Sequence, residues 1–89
     1  MYDISMEQYR RAEVYLEKSL ESRPKDPAIL NNLAVAQMRQ EKLDEAEANV
    51  RKALEIYPKA HDAKRTLENI LRMKKEAEEK KRLNKLMGL

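Results

Sequence analysis

His61 is the only histidine in the chain and the lone candidate base. With Asp62 it offers two possible metal ligands, but neighbours in sequence do not share a helical face. A metal site needs three or four converging ligands. His61 therefore reads as an exposed residue opening a helix. Glu45, Glu47 and Glu55 supply carboxylates, yet nothing in the sequence desolvates a pair of them. There is no Gly-rich phosphate loop, and no Ser/His/acid arrangement can be assembled around His61. Cysteine is absent, which excludes disulfides, thiolate metal sites and a Cys nucleophile. The chain reads as non-enzymatic, with no metal and no cofactor.

Two other groups of residues call for binding rather than catalysis. Lys74 to Arg82 reads KKEAEEKKR and sits in the basic part of the chain. Residues 59–89 hold 10 basic and 5 acidic side chains, whereas residues 1–58 hold 9 and 11. The run is expected to form a solvated helix supported by i,i+4 pairs, Glu76 with Lys80 and Glu78 with Arg82. A weak nucleic-acid contact is an alternative, although three glutamates interrupt the run and no aromatic is interleaved for stacking. The run lacks the broad apolar face that a membrane surface requires. Beyond it stand Leu83, Leu86, Met87 and Leu89, apolar residues with no core of their own to join. They read either as a frayed tail or as an end that docks on another chain.

The elements that carry these residues are helical. The chain has 89 residues, 42% apolar and 39% charged, with a net charge of +3 and a single glycine, Gly88. Ala, Glu, Lys, Leu and Arg dominate, and such side chains lose little freedom in a helix. Proline occurs only at 24, 27 and 58. Pro24 and Pro58 each follow an amphipathic stretch, where proline ends a helix. The expected helices are Met6–Ser22, with Ser5 and Gln8 as a capping box; Pro27–Gln40, capped by Asp26; Leu43–Ile56; and a fourth from about His61 to Leu86. In the second, Leu30, Leu33, Ala34 and Gln37 form the expected core face, with Ala28, Val35 and Met38 on the other side. No apolar run approaches the roughly 20 residues of a membrane span. Met1 to Ser5 lacks the basic and apolar regions of a signal peptide. A cytoplasmic location is therefore expected, unless a leader has been lost.

Comparing the chain with itself at an offset of 34 brings Ala12 onto Ala46, Glu13 onto Glu47, Lys18 onto Lys52, Leu20 onto Leu54 and Pro24-Lys25 onto Pro58-Lys59. One helical hairpin with its flanks thus recurs. This period, together with Asn31-Asn32-Leu33-Ala34 and the stretch Lys52 to Pro58, resembles the tetratricopeptide repeat. Leu30, Leu33 and Ala34 fall on the family's first-helix pattern, and Ala46, Val50, Ala53 and Pro58 on that of the second. The departures are Gln37 in place of the usual Tyr, Glu41 in place of the usual turn Gly, and Ala60 where an N-capping Asp or Asn is usual.

The resemblance implies an all-α fold, a right-handed superhelix of helical hairpins. One complete repeat (27–60) follows the second helix of a partial repeat (6–23), and a capping helix (61–87) ends the unit. It also implies a concave groove that binds a peptide or helix of another protein, through Ala28, Asn31, Asn32, Val35, Met38 and Arg39 from the second helix and Arg65, Asn69, Arg72 and Met73 from the fourth. Gripping a C-terminal carboxylate as some relatives do fits poorly, because Asp62 and Thr66 stand where bases are expected. The expected function is a protein-interaction scaffold. The alternative is a homodimer through the exposed terminal helices, with Leu83, Leu86 and Met87 in the contact.

Overall fold

The structure, a computed structural model, describes residues 4–88, with side chains from residue 6 onward. Four helices occur among them: α1 (Ile4–Ser22), α2 (Pro27–Arg39), α3 (Leu43–Ile56) and α4 (His61–Leu86). α1 begins before Met6, so Ser5 lies inside the helix rather than at its cap. The Ser5 side chain of the expected capping box, like Leu89, lies outside the described residues.

The turns repeat as the sequence does. After α1, the Arg23 N–H donates to Ser19 O (2.9 Å) and the Asp26 N–H to Arg23 O (3.2 Å). After α3, the Tyr57 N–H donates to Ala53 O (2.9 Å) and the Ala60 N–H to Tyr57 O (3.1 Å). Each partner in the second set lies 34 residues beyond its counterpart. The two turns differ in the cap that follows. Asp26 accepts from the Ala28 N–H (2.9 Å) and the Ile29 N–H (3.3 Å), satisfying two of the otherwise unpaired donors that open α2. Ala60 has no side-chain acceptor, so α4 starts without such a cap.

Between α2 and α3 the chain reverses through Glu41, at φ 63°. The Glu41 N–H reaches Met38 O (2.9 Å) and the Lys42 N–H reaches Gln37 O (2.9 Å), the paired bonds of a Schellman turn. That turn needs a left-handed residue after the helix, which costs a side-chain-bearing residue about 1 kcal/mol. The one glycine does the corresponding work at the end of α4, where Gly88 sits at φ 75°.

α2 is the centre of the packing and touches each of the other helices. α1 and α3 do not touch each other. The core joins Leu30, Ala34 and Met38 of α2 to Ala46, Val50 and Ala53 of α3 and Ala63 and Ile70 of α4. Leu30, Val50 and Ile70 are almost fully buried, each worth about 1.5–3 kcal/mol relative to an exposed side chain. Ala34 and Ala46 are 0% exposed; small side chains let α2 and α3 approach closely. The positions 34 residues before Ala46, Val50 and Ala53 are Ala12, Leu16 and Ser19, and these are only half-buried. α2 covers α3 on that face, and among the described residues nothing covers α1 there.

Two expectations are corrected. Met38 belongs to the core, only 6% exposed, and not to the far side of α2. The helix turns it toward α3, because it follows Ala34 by four residues and shares that face. The pairs Glu76–Lys80 and Glu78–Arg82 are absent from the ion pairs among the described residues; α4 is solvated there without them.

Candidate partner-binding groove

An open cleft of about 650 Å³ lies at the N-terminal ends of α2 and α4. Pro27, Ala28, Asn31 and Asn32 form one wall, and Lys59, Ala60, His61, Asp62 and Ala63 the other, with Tyr57 beside them. Ala28 and Asn32 are exposed and Asn31 is half-buried. The Asn31 Oδ1 atom is buried and has no hydrogen-bond partner among the described residues. An unpaired amide oxygen of this kind is costly and calls for an explanation.

The remaining expected groove residues spread along the same two helices. Val35 is half-buried and packs on the core, while Arg39 is exposed. On α4, Arg65 and Arg72 are exposed, and Arg72 Nη2 donates to Asn69 Oδ1 at 3.0 Å. Met73 is partly buried against the core. Met38 is withdrawn from any such surface by its burial. Leu83, Leu86 and Met87 lie far from the cleft, 57%, 78% and 67% exposed.

The sequence reading missed the second wall of the cleft. Tyr57, Lys59, His61 and Asp62 enter it because the α3–α4 turn stands beside the start of α2. The signal for them was the recurrence of Pro58-Lys59, which places that turn at the same end of the hairpin as Pro24-Lys25.

Two polar clamps away from the cleft tie each helix to the next, one at the end of α2 and one midway along α4. Glu13 of α1, only 8% exposed, accepts from Gln37 Nε2 (3.1 Å), Gln40 Nε2 (2.8 Å) and Lys42 Nζ (3.0 Å). Asn49 Nδ2 then donates to Gln37 Oε1 at 2.8 Å, carrying the network into α3. Gln37, where the family has Tyr, is thus the buried bridge between two helices that never meet. Glu47 of α3 repeats the part of Glu13. It accepts from Arg51 (2.8 Å) and from Lys74 Nζ (2.8 Å), and Lys74 also reaches Asp44 at 2.9 Å. Lys74 follows Glu47 by the same 27 residues that separate Gln40 from Glu13. Burial pushes the Glu13 carboxyl up, but the hydrogen bonds from Lys42, Gln40 and Gln37 outweigh it and hold it below its ordinary value. Glu47 is lowered by its bonds from Lys74 and Arg51, and Lys74 is raised by Glu47 and Asp44.

Residues 3–70 match the family model described as Tetratricopeptide repeat. The chain belongs to the tetratricopeptide repeat family. Its four helices and two equivalent turns are the hairpin repeat of that family. Tetratricopeptide repeats generally mediate protein–protein interaction and are typically non-enzymatic. No curated protein and no solved structure matches the chain. Among the described residues, no helix is long and apolar enough to cross a membrane.

Proposed function

We propose that the chain is a non-enzymatic scaffold that holds a peptide or helix of a partner protein against the surface formed by α2 and α4. The observation that carries this reading is the buried, unpartnered Asn31 Oδ1 at the cleft. Rotation of the half-buried Asn31 side chain into the cleft would bring this enclosed acceptor to a backbone N–H of the partner, and the exposed Asn32 next to it adds donor and acceptor capacity. Arg65 and Arg72 supply guanidinium forks that suit carboxylates, so the partner segment is acidic as well as apolar.

Titration of fluorescently labelled acidic and apolar peptides tests this, with Asn31→Ala and Arg65→Ala as controls whose helicity is checked by circular dichroism. Each substitution is expected to weaken binding about tenfold, or 1.4 kcal/mol. Binding that ignores both overturns the site assignment.

A further inference from the structure

α4 carries a feature that the groove alone does not explain. Ion pairs bind it to the body as far as Lys74, and beyond that residue the helix runs on to Leu86 with every side chain exposed. Its exposed residues are sorted by face. Arg65, Arg72, Glu79 and Leu86 recur every seven residues, and Asn69, Glu76 and Leu83 interleave with them at steps of three and four. That spacing forms one continuous stripe along a helix. Leu83 follows Arg65, and Met87 follows Asn69, by about five full helical turns. The apolar end of α4 therefore lies on the same side of the helix as Arg65 and Arg72. Lys81 and Lys85 fall on the other side of the helix, while Lys75, Lys80 and Arg82 flank the stripe.

The order of chemistry along the stripe is basic, acidic, apolar. A parallel neighbour would set Arg72 against Arg72 and Glu79 against Glu79. An antiparallel copy sets each Arg72 against the other's Glu79, brings each Glu76 near the two-fold axis level with the flanking Lys75 of the other copy, and carries Leu83, Leu86 and Met87 to the level of Arg65. Glu76 and Glu79 are free for this, since no ion pair among the described residues engages either. A two-fold contact uses the same patch on both copies and closes on itself. We infer that the α2/α4 surface is occupied by the acidic and apolar stripe of α4 from a second copy of this chain, in an antiparallel dimer. The inference rests on the groove reading above and names its occupant.

Light scattering behind size exclusion, over about a hundredfold dilution, tests it on the full chain. A dimer is expected. Leu83→Asp combined with Leu86→Asp should leave a folded monomer, because both residues are solvent-exposed in the single chain. Arg72→Glu and Glu79→Arg should each raise the dimer dissociation constant about tenfold, and the double exchange should restore it. A monomeric parent chain, or a dimer indifferent to Leu83 and Leu86 or not restored by the exchange, overturns the inference. The peptide titration separates this from failure of the groove. A chain that is monomeric yet binds acidic, apolar peptide through Asn31 and Arg65 keeps its groove and loses the dimer. A dimer that survives saturation with such a peptide does not occupy the groove, and that also overturns the inference. A dimer split by the peptide supports it.

Discussion

Glu13 shows how one carboxylate ties the molecule together. It is buried, charged and hydrogen-bonded from α2 and from the turn after it. Lys42 is half exposed, so the attraction to it is screened by solvent. Glu13→Ala leaves the buried Gln37 amide without its acceptor, while Gln40 Nε2 keeps the Tyr9 and Ala36 carbonyls and Asn49 keeps Gln37 Oε1. A loss of about 1–2 kcal/mol is expected, or roughly 5–10 °C in melting temperature for a domain of this size. The pH dependence has a definite sign. The folded-state value of Glu13 lies below its ordinary 4.5, so its contribution is complete above 4.5 and fades as the pH falls through the folded value. Glu47, also lowered, acts in the same direction. Thermal melts below pH 4.5 should therefore show stability dropping with acidification, and the drop should be shallower in Glu13→Ala. An equal slope in both proteins would remove Glu13 as a cause. The match of Glu13 with Glu47 at the repeat distance was visible in the sequence. That both glutamates bond to a residue of the next helix or its C-cap was not, because the contact spans 27 residues.

The elements are unequal in their ends. Asp26 and Ala60 hold equivalent positions in the two turns, and only Asp26 has a side chain that caps the helix it precedes. Ala60→Asp should give α4 the two hydrogen bonds that α2 already has, and it also places an anion at a helix N-terminus. A gain of about 1 kcal/mol is expected, read as a rise in the midpoint of urea unfolding at constant slope. No gain would mean that the half-buried site exacts a desolvation cost equal to the cap. Helix positions were legible throughout because prolines and amphipathic runs are local signals: α3 and α4 lie where the spacing predicts, and α2 ends one residue earlier. Met38 was misplaced because it sits at the edge of the apolar face of α2, where a small rotation of the helix decides between core and surface.

Across the whole molecule, stability should follow coverage. α3 is sandwiched between α2 and α4, while α1 touches α2 alone. Ala12, Leu16 and Ser19 are half-buried where Ala46, Val50 and Ala53 are fully so. Native-state hydrogen exchange should therefore open α1 before α3, with protection at least about tenfold lower in α1. Equal protection would show that the Glu13 network makes the four helices one cooperative unit.

By itself the sequence determined the helices, their punctuation, the 34-residue period and, through that period, the family. These rest on side-chain periodicity, on the backbone limits of proline and on recurrence, all of which can be read along the chain. Glu41 in a position that favours glycine and Ala60 in an uncapped one were legible for the same reason. Tertiary structure alone decided which polar residues are buried, that Gln37 bridges Glu13 to Asn49, that Tyr57, Lys59, His61 and Asp62 complete the cleft, and that Asn31 Oδ1 is left without a partner among the described residues. Each of these depends on how two helices far apart in sequence are rotated about their axes when they pack, and no local pattern carries that angle.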